Sequence, residues 1–179
     1  MNGIIAAVRT TEEFDKALLS ECKTVFLLNC EILELKELIS RAHGAGKEIF
    51  IHFDFIDGLG KDKSGMKYLA HLKPDGIISV RPQAVRLAKE CKMKTVQRFF
   101  IVDSRSVKSA MELIESTKPD MVEIMPAVVY RQIQDFAEKV TVPVIAGGLI
   151  KSEDEAKKAI KYGASAVSSG MAELWNISF

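Results

Sequence analysis

His52, Asp54 and Asp57 sit at the end of an apolar stretch, in the run Ile51-His-Phe-Asp-Phe-Ile-Asp-Gly58. A His-x-Asp-x-x-Asp-Gly pattern of this kind suits three kinds of chemistry. It could hold a metal, transfer a proton, or grip a small polyol through carboxylates that accept hydrogen bonds from its hydroxyls. Phosphosugar epimerases carry a comparable run. No second His, Cys or paired carboxylate reinforces a metal set: the other histidines, His43 and His71, fall in helical stretches. No metal is therefore expected. Two further charges lie inside apolar runs. Arg98 in QRFFIVDS needs a carboxylate, solvent or a ligand, because burying it alone would be costly. Glu123 in VEIMPAV needs a cation or ligand hydroxyls for the same reason. Arg9 ends the first apolar run and could face either a site or solvent.

The elements that must position these side chains alternate regularly. Apolar runs at 3–8, 24–29, 48–55, 76–80, 95–102, 120–125, 142–147 and 165–169 read as strands. Each is followed by a helical pattern, the last reduced to MAELW (171–175). Thr10, Thr11 and the following Glu residues form an N-terminal capping pattern, and Pro82 suits a first helical turn. With period-2 alternation along the strand from 48 to 55, His52 and Asp54 share one face. Eight βα units predict an α/β fold: a compact TIM-like (β/α)8 barrel with shortened loops and a truncated last helix, in a single domain over 1–179. An open doubly wound sheet is the competitor, because such barrels typically run to about 250 residues.

The last two units favour the barrel. Gly147 and Gly148 end the seventh strand; Ser168, Ser169 and Gly170 end the eighth. Paired glycine and serine loops, with a short helix N-terminus behind them, form the phosphate-binding arrangement of many such barrels.

Composition narrows the function classes. The chain has 179 residues, 47% hydrophobic and 27% charged, with net charge +1. Disorder is excluded, and so is a globally basic nucleic-acid binder. Any such contact must be local, and residues 81–108 hold eight cations against two acids, a run centred on Arg86, Lys89, Lys92 and Lys94. It is either a solvated face or a phosphate-backbone footprint. Three cysteines without CxxC spacing point to reduced thiols in the cytoplasm. No secretory leader is evident, and no apolar run approaches the roughly 20 residues that span a bilayer.

The succession FIHFDFIDGLGKDKSG, DGIISVRP, TVQRFFIVDS, PDMVEIMPAVV, VPVIAGGLI and GASAVSSGMAELW resembles the glycerol-3-phosphate-responsive antiterminators of bacterial glycerol uptake operons. It does so in order and spacing across the chain, departing where Ala127 follows Pro126 in place of glycine. The resemblance implies a barrel that binds glycerol 3-phosphate as an effector, needs no cofactor, performs no catalysis, and acts on leader mRNA to let transcription pass a terminator. On it, His52, Asp54, Asp57, Arg98 and Glu123 are expected at the glycerol end. Gly147, Gly148, Ser168, Ser169 and Gly170 are expected at the phosphate, and Arg86, Lys89, Lys92 and Lys94 at the RNA. A homodimer through the apolar tail of Trp175, Ile177 and Phe179 would offer another RNA surface. The alternative from a different class is a small phosphosugar isomerase, epimerase or lyase sharing the same pocket.

Overall fold

Eight parallel strands close on themselves in the computed structural model, which describes residues 3–179. The strands are β1 (Gly3–Val8), β2 (Thr24–Leu27), β3 (Glu48–His52), β4 (Gly76–Ser79), β5 (Lys94–Phe100), β6 (Met121–Met125), β7 (Val144–Gly147) and β8 (Ala166–Ser169). Each pairs with its sequence neighbours, and β1 closes the ring on β8 from Gly3↔Ala166 to Ala6↔Ser169. The open-sheet alternative is thereby excluded. Seven helices cover the outside: α1 (Thr11–Leu19), α2 (Leu35–Gly44), α3 (Lys63–His71), α4 (Pro82–Glu90), α5 (Ser104–Thr117), α6 (Tyr130–Lys139) and α7 (Glu153–Lys161). Helices of only 9–14 residues are how the fold fits into this chain length.

Strand alternation builds two cores. Residues such as Ile4, Val25, Ile49 and Val122 point outward and pack on Phe14, Leu35, Ile39 and Phe136 of the helices. The other parity points inward, where Ile5, Phe26, Phe50, Ile78, Val96, Met121, Ile145 and Ala166 fill the barrel as an apolar plug. Local signals agree with this architecture. Thr10 and Glu13 form a reciprocal capping box at α1, and Pro82 opens α4.

Two expectations need correction, the extent of the third strand and the role of the C-terminal tail. The strand expected over 48–55 ends at His52, and Phe53–Phe55 is a 3-10 turn. Asp54 turns the chain out of the sheet by accepting hydrogen bonds from Ser79 Oγ and Val80 N–H at the end of β4. Beyond the turn, Ile56–Asp57 forms a two-residue ladder with Cys30–Glu31, which delays α2 to Leu35. The truncated last helix is a single 3-10 turn, Ala172–Leu174. Trp175 is not available to a dimer interface: it is 1% exposed, and its Nε1–H donates to Ser169 O at 2.8 Å. Ile177 packs partly buried against the same core, and of the three only Phe179 is substantially exposed.

Trp175 therefore plugs the outer layer where no eighth helix exists. Trp175→Ala should lower the unfolding free energy by about 3–5 kcal/mol in denaturant titration. Phe179→Ala should change it by no more than about 0.5 kcal/mol. Equal effects would show that the tail does not close the fold.

Candidate functional site

Two residues further along each strand, the inward parity changes character. Above the apolar plug come Ala7, Leu28, His52, Val80, Arg98, Glu123, Gly147 and Ser168, one from the end of each strand in turn. Five of these eight are polar or glycine, and they lie at the C-terminal mouth, where barrels of this type carry their sites.

The centre of this layer is a buried ionic chain. Arg98 Nε donates to Glu123 Oε2 at 2.6 Å, and Ser168 Oγ donates to Glu123 Oε1 at 2.6 Å. Glu123 lies on β6 and Ser168 on β8, so their bond must cross β7. It crosses at Gly147, where a Cβ would lie 2.3 Å from Glu123 Oε1 and 2.6 Å from Ser168 Oγ. Any other residue there would sever the contact. Glu123 is fully buried and Arg98 nearly so, which makes the pairing obligatory. No hydrogen bond from the terminal nitrogens of Arg98 to protein is present among the described residues, which leaves those donors to the cavity.

That cavity, about 160 Å³, is bounded by Arg9, Arg98, Glu123, Met125, Gly148, Leu149, Ser168, Ser169 and Gly170. Gly148 holds φ +78°, and a Cβ there would meet Met125 Cε at 2.7 Å. Gly170 has Arg9 Nη1 about one van der Waals contact from where its Cβ would be. The structure thus brings Arg98 and Glu123 together with the glycines and serines of the last two strands. Ser168 faces inward. Ser169 faces outward, and its hydroxyl oxygen accepts from Met171 N–H, ordering the turn. The expected helix dipole behind this loop is absent, since a three-residue 3-10 turn is too short to carry one.

The His-x-Asp-x-x-Asp run is dispersed around this cavity. Asp57 lines a second pocket of about 310 Å³, with Asn29, Cys30 and Glu31, and Arg9 forms the wall between the two pockets. Asp54 is a brace: besides Ser79 and Val80 it has Arg81 Nε at 3.5 Å. His52 and Asp54 do not share a strand face, yet the 3-10 turn brings His52 Nδ1 to 3.7 Å from Asp54 Oδ2. The His52 ring lies on Phe55, with centroids 4.6 Å apart. It is 1% exposed, and neither ring nitrogen has a hydrogen-bond partner among the described residues. Burial, followed by the charge of Arg98, pushes its pKa down to about 4, against a smaller opposing effect of Asp54. Burial also lowers the pKa of Lys61, with Asp54 and Asp57 opposing it. Among the described residues no group of three or more His, Cys, Asp or Glu converges as a metal site.

Sequence reasoning left two residues unassigned. Arg9 was visible as a cation ending an apolar strand, but its side was not. Ser79, the partner of Asp54, had no local signal at all. The basic cluster lies at the opposite end of the barrel, around the end of α4 and the start of β5. Lys89 donates to Lys118 O and sits 3.4 Å from Asp120, and Lys94 is 2.9 Å from Glu48. Arg86 and Lys92 are exposed, with no acidic partner among the described residues.

Residues 4–175 match the family model of the glycerol-3-phosphate responsive antiterminators. A glycerol uptake operon antiterminator regulatory protein from Listeria monocytogenes is 34% identical, with a TM-score of 0.92 over 97% of this chain and 94% of that one. A glycerol uptake operon antiterminator-related protein from Thermotoga maritima is 33% identical, with a TM-score of 0.87 over 97% and 98%. The Escherichia coli (strain K12) protein YgcP is 30% identical over 178 residues, 99% of this chain and 93% of that protein.

Burial of neutral His52 has a consequence for stability. Unfolding restores its ordinary pKa of 6.5, so between about pH 6.5 and 4 the unfolded chain binds more protons than the folded one. The contribution is intact above that window and is lost as pH falls through it. Between pH 7 and 4.5, wild type should lose on the order of 1–3 kcal/mol more stability than His52→Gln, measured by denaturant titration at each pH. A difference that does not vary with pH would contradict this.

Proposed function

The chain belongs to the glycerol-3-phosphate responsive antiterminators, and we propose that it binds glycerol 3-phosphate in the barrel mouth and, in that state, acts on the leader mRNA of glycerol-utilisation operons in the cytoplasm. The observation that carries the ligand assignment is the Arg98–Glu123–Ser168 chain crossing Gly147 beneath the glycine loops. In this assignment Gly147, Gly148, Ser168, Ser169 and Gly170 frame the phosphate, with Arg9 and the free end of Arg98 as its cations. A phosphomonoester carries close to two negative charges and three strong acceptors at neutral pH, and guanidinium donors match its geometry. Glu123, His52, Asp54 and Asp57 serve the glycerol end, Asp57 from across Arg9 and Asp54 by holding the turn. A cavity of about 160 Å³ lies below the roughly 300–1,000 Å³ of drug-sized sites and suits a three-carbon phosphate.

The competing reading is an isomerase, epimerase or lyase on the same pocket. The commitments of two carboxylates among the acid–base candidates favour a sensor. Asp54 is held by Ser79 Oγ and Val80 N–H, and Glu123 by Arg98 and Ser168. These two carboxylates are thus engaged, whereas the His52 ring nitrogens and the Asp57 carboxylate have no hydrogen-bond partner among the described residues, so recovery of the ligand unchanged is the deciding observation. Two surfaces offer cations to RNA: the basal cluster of Arg86, Lys89, Lys92 and Lys94, and the rim of the mouth.

Gly148→Val should weaken glycerol 3-phosphate binding by about ten- to a hundredfold in calorimetric titration, the equivalent of losing one charge-assisted hydrogen bond. Unchanged affinity in a folded variant would remove the phosphate from this loop. For output, glycerol 3-phosphate should raise affinity for the operon leader RNA, and RNA should raise affinity for the ligand by the same factor, as linkage requires. The ligand should be recovered unchanged. RNA affinity indifferent to ligand, or conversion of the ligand to another compound, would favour the enzyme.

A further inference from the structure

The rim of the mouth is divided by charge in a way that ligand binding does not explain. The helix N-termini open onto this face. The first turns of α1, α2 and α7 carry acids: Glu12 and Glu13, Glu37, and Glu153 with Asp154 and Glu155. Acids complement the positive end of a helix dipole. The four consecutive helices α3 to α6 have no acid in the first turn. Each carries a cation at its N-cap or within its first two residues instead: Lys63, Arg81, Arg105 and Arg131. Asp62 and Asp103 cap α3 and α5, whereas α4 and α6 have no side-chain cap at all. A cation at the positive end of a helix is unfavourable in isolation, and four in succession on one arc form a surface complementary to a polyanion.

The same arc carries exposed aromatic rings. Six of the nine phenylalanines are buried, but Phe55 is 58% and Phe100 57% exposed. Phe55 follows β3 and Phe100 ends β5, with Val80 and Arg81 at the end of β4 between them. The two rings are therefore on the order of 10 Å apart, two strand spacings, flanking an arginine. Val102, at 84% exposure, extends the patch towards Arg105. Exposed rings interleaved with guanidinium groups suit unpaired bases, which stack on both, while the cations follow the phosphates. Ion pairing does not separate the two surfaces, since Asp120 and Glu48 match Lys89 and Lys94 of the basal cluster while Asp54 and Glu90 match Arg81 and Lys63 of the arc. The exposed rings do, because none of the four basal cations is adjacent in sequence to an exposed aromatic residue.

We propose that the arc of the mouth bearing Phe55, Arg81, Phe100, Arg105 and Arg131 is the surface that engages single-stranded RNA. The proposal rests on the antiterminator reading above and places its output beside its ligand. Phe100 is two residues beyond Arg98 on the same strand face, and Phe55 lies on His52. Asp54 ties the turn bearing Phe55 to the strand end bearing Arg81.

The test compares two variants with wild type in fluorescence-anisotropy titrations of the operon leader RNA at several salt concentrations. The mouth variant is Phe100→Ser/Arg105→Gln/Arg131→Gln, and the basal variant is Lys89→Gln/Lys92→Gln/Lys94→Gln. The mouth variant should bind RNA at least about tenfold more weakly, with a salt slope shallower by about 1 to 1.5, as expected for two lost single-strand phosphate contacts. Its glycerol 3-phosphate affinity should stay within about twofold, and the basal variant should bind RNA within about threefold of wild type. Arg105→Gln/Arg131→Gln alone, at exposed positions, should give the slope change should Phe100→Ser unfold the chain. A mouth variant that binds RNA as wild type does, with the basal variant impaired, would overturn the placement and leave the antiterminator reading intact. A wild type that does not bind the leader at all would overturn both. Light scattering showing a wild-type dimer that the mouth variant dissolves would assign the arc to a second copy of the chain instead.

Discussion

One buried carboxylate organises the mouth of this barrel. A carboxyl group buried inside the ring of strands needs partners, and among the described residues Glu123 has two, Arg98 from β5 and Ser168 from β8. The second reaches it only because Gly147 leaves β7 bare. Glu123 thereby fixes which face of Arg98 is spent and which is free. The Nε side is neutralised within the wall, and the terminal nitrogens face a cavity rimmed by Gly148, Gly170 and Arg9. The apolar plug below contributes a dry floor, so charged hydrogen bonds made in the cavity are screened less than at the surface.

From that centre, rigidity passes outward through short contacts. Asp54 couples the end of β3 to the end of β4, and His52, 3.7 Å from the same carboxylate, lies within reach of the charge of Arg98. Neutral His52 adds no charge to a layer that already contains an ion pair. The cavity and the exposed rings of Phe55 and Phe100 thus share their supporting residues. A ligand that alters the placement of Arg98 or His52 acts directly on the rim. The opposite end of the barrel shares no such residues with the cavity.

Much of the architecture was legible in the sequence because it rests on local rules. Thr10 with Glu13, Pro82 and the alternation of apolar runs with amphipathic stretches all act within a few residues, and the shortened final unit was visible as MAELW. Gly147, Gly148 and Ser168 were legible through their place in the repeat. What escaped depends on partners far apart in the chain. Nothing near Asp54 announces Ser79, 25 residues away, yet that contact ends the strand at His52 and removes the shared face expected for the pair. Ser169 differs from Ser168 only by strand parity, which a one-residue shift reverses. Trp175 looked like an exposed tail because the missing eighth helix, whose space it fills, cannot be seen in composition. The pairing of Arg98 with Glu123 was one of several ways to satisfy each charge. The register of β5 against β6, which sets them side by side, belongs to the folded state alone.

The most direct measurement is the difference electron density of crystals soaked with glycerol 3-phosphate. The account predicts the phosphate between the loops of Gly148 and Gly170, within hydrogen-bond distance of the terminal nitrogens of Arg98, with the Glu123–Ser168 contact over Gly147 preserved. Density for the ligand elsewhere, with this cavity empty, or a ligand bound here with Glu123 turned away from Arg98, would contradict it.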